Sequence, residues 1–545
     1  MSAKDFPLDK VGVAPASDDG RIPNPLTPTG SVLGPPRTCN VAFKSAAGAT
    51  SSGVNRWIAA HENTIRQKTV VCLSGTFTSP VHVWGKHAPA LLELARAPGA
   101  SATLDLGEVG AAAADPNEYW GGSGGISIVD STSVEVYGLT VENYHFAGPA
   151  HVPAGILVSV RSDTRNTDQS VVPHMSPCFL HGGSCGDIYI VDDTVRDVKN
   201  TADENWRSRA LCGRKNVDAY GIAVIVGGRR PLQHVVVEDD NVSGTRTGQS
   251  ETVTFNGDVK DFLAAYNVIR DVDNIGLDTI GWETGAAQAN HGLVIGNTIY
   301  NVDTLSNSSY GTWSKGRCRS QPENAAGLYD DGASYIWFDN NVVWNTDQGI
   351  NLDVETPGRE TGHLLVSGNV VHDDPGTSAS DPSLGPNPPG TGGRSTVAGH
   401  AAFALYVDAF GAGSRIEDVY VHDNVFQNES QHFLVPSWGM PVVDLGGLWS
   451  DVQIWHNTIE GGGGKDRYNP LMEVDTEPIA FSIDPIDCNL YAGLSTSSAS
   501  LNGNFAMPHD SWLRLAAWKA GNGHRWDAES GVGAFPAVCP AASIP

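Results

Sequence analysis

Positive charge is what this chain has least of. Only 17% of its residues are charged, and 34 Lys and Arg stand against 61 Asp and Glu, a formal net charge of −27. So acidic a surface repels nucleic acid and anionic membranes, and neither is expected as a partner. It also opposes an anionic polysaccharide unless cations bridge the contact. No apolar run reaches the roughly 18 residues of a membrane-spanning helix. No Cys-x-x-Cys occurs, which argues against a structural zinc site. Gly-x-Ser-x-Gly, the P-loop and His-Glu-x-x-His are missing too, and with them three common catalytic frameworks. The opening Met1-Ser2-Ala3-Lys4-Asp5 has no apolar leader core, so export requires a leader already removed or replaced.

What is present is a degenerate repeat: an apolar run, an Asn, then Val or Ile. It occurs at Asn241-Val242, Asn267-Val268, Asn297-Thr298-Ile299, Asn341-Val342, Asn369-Val370, Asn424-Val425 and Asn457-Thr458-Ile459. The shortest Asn-to-Asn steps are 26, 28 and 30 residues, and the longer ones, 44 and 55, read as coils carrying loop insertions. Self-similarity at this period marks a stacked solenoid. The units are strand-like, and the 62 glycines suit many short strands joined by turns. The expected fold is therefore all-β: a right-handed parallel β-helix with an N-terminal helical cap and a C-terminal cap.

The chain divides into an extended segment and cap at 1–119, the β-helix at 120–490 and a C-terminal cap at 491–545. Val54, Trp57, Ile58 and Ile65 have helical spacing and suit a cap over an open coil end. Trp512 to Trp518 reads as a short helix in the other cap. Insertions are expected at about 161–187, 303–325 and 374–400. The repeated Asn is read as structural, both for its tolerance of left-handed backbone and for hydrogen bonding from coil to coil. The 8 cysteines are read as Cys39–Cys72, Cys178–Cys185, Cys212–Cys318 and Cys488–Cys539 of a secreted protein. The competing reading is reduced, buried thiols.

These Asn-punctuated coils resemble the right-handed parallel β-helix (pectin-lyase-like) superfamily typified by pectate lyases and polygalacturonases, over about residues 120–490. The resemblance implies the fold and, for most characterised members, action on polysaccharides as lyases, hydrolases or epimerases; others are phage tailspikes or surface proteins. The family's catalytic signatures do not carry over. His291-Gly292, Asp330-Asp331 and Asn345-Thr346-Asp347 echo polygalacturonase fragments, but in reversed order and without Arg-Ile-Lys. The epimerase signature Tyr-Gly-Phe-Asp-Pro-His is absent.

Aligning the first strands of successive coils puts Val253, Leu277, Leu328, Ile350 and Leu405 in one inward row. Alternation then sends Thr254, Asp278, Tyr329, Asn351 and Tyr406 outward, followed by Asn256, Ile280, Asp331, Asp353 and Asp408. Glu283 and Glu355 lie just beyond. Asp330 points inward in this register, or else begins a turn at Asp331-Gly332. Carboxylates on adjacent coils stand about 5 Å apart. That is near the ~5–5.5 Å of a retaining glycosidase, and two coils apart is near the upper end of the ~6.5–9.5 Å inverting range. Stacked like charges call for a raised pKa or a bound cation.

The expectation is a secreted glycoside hydrolase acting on an extracellular glycan. Asp331, Asp353, Glu355 and Asp330 are the catalytic candidates. Asp278, Glu283, Trp282, Tyr329, Asn351, Tyr406, Asp408 and Trp313 are the substrate-binding candidates. This reading requires no cofactor and no metal. One alternative is a Ca²⁺-dependent polysaccharide lyase, with the acidic column holding the ion and Lys315 or Lys260 as base; Arg317, Arg319 and Arg359 are the other nearby cations. His291, His363, His372 and His422 are further acid–base candidates. The remaining alternative is a non-catalytic glycan-binding surface protein.

Overall fold

The computed structural model describes residues 38–46, 49–109, 122–146, 152–160, 185–200, 209–210, 212–213, 218–227, 230–282, 287–304, 307–320, 325–346, 348–373, 401–405, 413–428, 442–446, 449–461, 472–474, 486–492, 505–507, 511–513 and 531–532. The chain is a right-handed parallel β-helix. Each coil contributes one strand to each of three parallel sheets, here called front, second and third. A central coil runs through Ala326–Asp331, Ser334–Asp339 and Val342–Thr346. The next runs through Gln348–Asp353, Glu360–Ser367 and Val370–Asp373. One apolar core fills the tube, drawn from inward positions such as Leu277, Leu328, Phe338, Val343 and Ile350.

Parallel pairing already runs through Thr69–Phe77 and Leu92–Arg96, ahead of the boundary expected at residue 120. The helix Ser52–His61 buries Val54 and Ile58, with Trp57 and Ile65 packed on the core, as a cap requires. The expected C-terminal helix is not borne out at its start. Ser511–Leu513 is a strand, antiparallel to Phe505–Met507. Pairing with a neighbouring strand outweighs the local helical pattern there. Cys39–Cys72 and Cys212–Cys318 are disulfides. Cys185 and Cys488 are also disulfide-bonded, while Cys178 and Cys539 lie outside the described residues.

The Asn row is a hydrogen-bonded ladder at the turn from the second sheet to the third. Nδ2 of Asn267, Asn297, Asn341, Asn369 and Asn424 each donates to Oδ1 of the next rung at 2.9 Å. Asn457 donates to Asn489 at 3.1 Å. The left-handed residue is not the Asn but the one before it: Tyr266, Gly296, Asn340, Gly368, Asp423 and His456 have φ between 52° and 65°. The rung expected at Asn241 is occupied by Asp240, since Asn241 pairs with Val268. Asp193 takes the rung before that.

These two acidic rungs have a cost. In the following coils the corresponding atom is an Nδ2 that donates. Oδ2 of Asp240 and of Asp193 is buried without a partner. Burial first, then the charges of Asp192 and Glu135 beside Asp193 and of Asp193 beside Asp240, hold both carboxyls well above the usual carboxylate range. The folded chain therefore keeps these protons while the unfolded chain releases them near pH ~3.9. With more protons bound in the folded state, stability falls as pH rises above that value. Asp240→Asn is expected to raise the melting temperature at pH 7 and to leave it nearly unchanged near pH 4. Thermal melts of both proteins across that interval check this, and an unchanged or lowered melting temperature at pH 7 would refute it.

Candidate active site

The front sheet carries the acidic column. Its inward row is Val253, Leu277, Leu328, Ile350 and then Phe403, not Leu405. The expected alignment is therefore correct for four coils and two residues out at the fifth. Ala404, not Tyr406, lies opposite Asn351. Tyr406, Asp408 and Glu283 fall outside the described residues.

The structure brings the other acidic candidates together. Asp278 is opposite Tyr329, Tyr329 opposite Asn351, and Asp331 opposite Asp353. Asp278, Tyr329, Asn351, Asp331 and Asp353 are all buried, whereas Glu355 is exposed at the rim. The Tyr329 hydroxyl donates to Glu355 Oε1 (2.7 Å) and lies 3.2 Å from Asp353 Oδ2. Burial first, then the negative charge of Asp353, Glu355, Asp331 and Asp278, pushes its phenol well above the usual range. Tyr329 is therefore held as a proton donor. Backbone amides complete the arrangement: Val354 N–H donates to Asp353 Oδ1 at 2.6 Å, and Glu355 N–H to Asp331 Oδ1 at 2.9 Å.

Asp330 continues the strand and does not begin a turn; the bend comes at Gly332, with φ 79°. Its carboxyl is fully buried and accepts from Thr279 Oγ1 (2.7 Å) and Thr361 Oγ1 (3.3 Å). Burial raises its pKa well above the carboxylate range, so it is a protonated group inside the tube. That placement separates it from the outer-face pair and removes it from direct contact with a substrate there.

Beyond the bend the chain opens a cleft of about 470 Å³ at the corner between front and second sheets. Trp282 lines it, and the Arg359 guanidinium lies 4.6 Å from its ring centre. Here Gly281 is required by close approach, because a Cβ would sit 2.0 Å from the Gly332 carbonyl oxygen. His291, Tyr335 and His363 line the same cleft from three successive coils. Their rings stack at 4.9 and 4.2 Å. Sequence reasoning missed Tyr335, Glu360 and Glu417, which also line it. The signal lay in the second strands: Asn290-His291, Ser334-Tyr335 and Gly362-His363 occupy equivalent places before an apolar run.

Other candidates are dispersed. Trp313 is half-buried in a hairpin opposite Cys318. Lys315 is exposed at that hairpin's turn. Lys260 belongs to the second sheet and lies 3.6 Å from Asp258. His422 is buried on the second sheet, against Asp423 and the Trp455 ring. Asn345 sits in the third sheet, donating to Asn301. The polygalacturonase-like fragments are thus spread over three sheets. Among the described residues no group of three or more His, Cys, Asp or Glu converges as a cation site requires.

No protein-family model matches the chain. It is 30% identical over 255 residues to the uncharacterized protein YwoF of Bacillus subtilis (strain 168). That match spans 47% of this chain and 45% of YwoF, so the chain covers about half the length of this relative. Among solved structures, the chain is similar to the A-module of the mannuronan C-5 epimerase AlgE4 of Azotobacter vinelandii. The TM-score is 0.48 at 11% identity, over 90% of this chain and 98% of that one. The Dettilon tailspike protein gives 0.44 at 13% identity, over 92% and 73%. The polygalacturonase of Erwinia carotovora gives 0.34 at 11%, over 89% and 97%. Likeness at this distance says nothing of what this chain acts on.

Proposed function

We propose that the chain is a secreted glycoside hydrolase acting on an extracellular glycan, with Asp331 and Asp353 as the reacting pair. The observation that carries this is their placement opposite one another on adjacent front-sheet strands, with Tyr329 reaching both Asp353 and Glu355. Adjacent parallel strands lie about 4.8 Å apart, close to the ~5–5.5 Å carboxyl separation of retaining enzymes. Asp353 takes the nucleophile's part, since both its oxygens face donors and an acceptor-only carboxyl suits that role. Asp331 protonates the leaving oxygen and then takes the proton of the incoming water. Glu355, exposed and sharing the Tyr329 hydroxyl, is placed to meet a sugar hydroxyl at the rim. The disulfides Cys39–Cys72 and Cys212–Cys318 support an oxidising, extracellular setting.

A lyase would need a basic side chain and usually a cation beside the scissile sugar. Lys260 lies on another sheet and Lys315 on a hairpin, and the described carboxylates do not gather as ligands. No step is therefore routed through a metal. The test is a screen against neutral and acidic polysaccharides, with and without a chelator, reading reducing ends and the ultraviolet absorbance of unsaturated products together. Reducing ends without that absorbance, insensitive to chelator, are expected. Unsaturated products that disappear with chelator would replace the hydrolase by the lyase.

A further inference from the structure

The corner cleft holds a second set of groups that the proposed hydrolysis does not use. Its described lining combines an indole, stacked imidazole and phenol rings, the side-chain amides of Gln288 and Asn290, and two carboxyl groups. Glu360 and Glu417 come from adjacent coils, and their side chains share a hydrogen bond. That bond pulls Glu360 below and pushes Glu417 above the usual carboxylate range. Arg415 Nε donates to Glu360 Oε2 at 2.7 Å and its guanidinium lies 3.4 Å from Glu417 Oε2, so one cation faces two carboxyl groups. His363 keeps Nδ1 against Asp418, which leaves Nε2 as the nitrogen that can meet a ligand. Among the described lining residues there is no Lys or Arg.

These features select a ligand class. The cleft volume lies within the roughly 300–1,000 Å³ range of small-ligand sites. It extends over four coils, each about 4.8 Å from the next. Amides, imidazole, phenol and carboxyl groups supply both donors and acceptors for hydroxyls, and the Trp282 indole adds an apolar wall. An anionic sugar would meet the Glu360–Glu417 pair with both nearby guanidiniums already engaged, Arg415 by Glu360 and Arg359 by Trp282.

We propose that the corner cleft is a binding subsite for an uncharged oligosaccharide, held by Trp282, His363, Tyr335 and the Glu360–Glu417 pair. This rests on the reading of the chain as a glycan-processing enzyme and adds that its substrate is neutral where it crosses the corner. The cleft follows the reacting pair along the chain: one front strand ends at Asp353, and after a short loop Glu360, which lines the cleft, opens the next strand.

The test is a calorimetric titration of the Asp331→Asn protein, which prevents turnover. The probes are short gluco-, manno-, xylo- and galacto-oligosaccharides, with oligogalacturonate and oligomannuronate for comparison. Saturable binding of at least one neutral oligosaccharide is expected. Loss of the side-chain contact in His363→Ala or Tyr335→Ala should weaken it about tenfold, one hydrogen bond's worth. His363→Gln, which keeps a polar side chain, should lose less and guards against a folding effect. Binding of the uronates as tightly as any neutral ligand overturns the proposal, as does the absence of neutral binding or equal binding by all cleft variants. The two readings fail separately. Binding lost in the cleft variants while the wild type releases no reducing ends removes only the hydrolase. Hydrolysis of a glycan with binding untouched by those variants removes only the subsite.

Discussion

Asp353→Asn and Asp331→Asn are each expected to lower turnover by about 10²–10⁴-fold with little change in KM. A positioned carboxyl that donates or accepts the reacting proton supplies about that much. Both substitutions keep the side chain's shape, and the acceptors of Val354 N–H and Glu355 N–H survive as amide oxygens. The loss should therefore appear in kcat while circular dichroism and the melting temperature stay near wild type. Tyr329→Phe separates positioning from chemistry. It removes one hydroxyl shared between two carboxyls, and a hydrogen bond to a charged group contributes about 1.5–3 kcal/mol, so a roughly 10–100-fold fall is expected. Steady-state kinetics on the polymer identified by the screen check all three. Full activity in both Asp variants would remove this pair from the chemistry.

Asn341→Leu is expected to cost the largest stability of any single ladder change. Asn341 is fully buried, donates Nδ2 to Val294 O (3.0 Å) and Asn369 Oδ1 (2.9 Å), and accepts from Asn297 N and Nδ2. Leu matches the branching but offers no polar atom. Val294 O and the two Asn297 donors are then left buried without that partner, at about 1–3 kcal/mol each. A loss of about 3–9 kcal/mol follows, enough to threaten folding outright. Denaturant titration should show a lower midpoint with an unchanged slope. Asn341→Asp keeps the acceptor and supplies a donor only while protonated, so its deficit should shrink as pH falls. A Leu variant as stable as wild type would show that the ladder is ornamental to stability.

Much of this was legible because two periodic signals coincide. The Gly-apolar pairs Gly276-Leu277, Gly327-Leu328 and Gly349-Ile350 set the front-sheet register, and the structure keeps it. Glycine is needed where the chain turns into the tube: at Gly349 a Cβ would lie 2.1 Å from Val371 Cγ1. The next coil places Ala402 at that point, so the glycine landmark is missing, and Leu405-Tyr406 imitates Leu328-Tyr329 two residues too late. The ladder was readable as a repeat, yet sequence alone does not say which of two adjacent polar residues bends the backbone and which bonds to its neighbour. Asn241 therefore reads as a rung that Asp240 fills. Asp330's inward direction and its Thr279 neighbour follow from the front-strand alignment, but its Thr361 partner comes from a second-sheet strand that this alignment does not reach. The corner cleft was invisible from the front strands alone, because it is built from the starts of second strands.

The most direct test of the adjacent-coil carboxyl pair is the anomeric configuration of the first product released, followed by proton NMR on the substrate found in the screen. Asp331 and Asp353 on neighbouring strands predict net retention through a covalent glycosyl–enzyme intermediate. Net inversion would contradict the account, since it requires carboxyls farther apart than two directly opposed residues on adjacent strands.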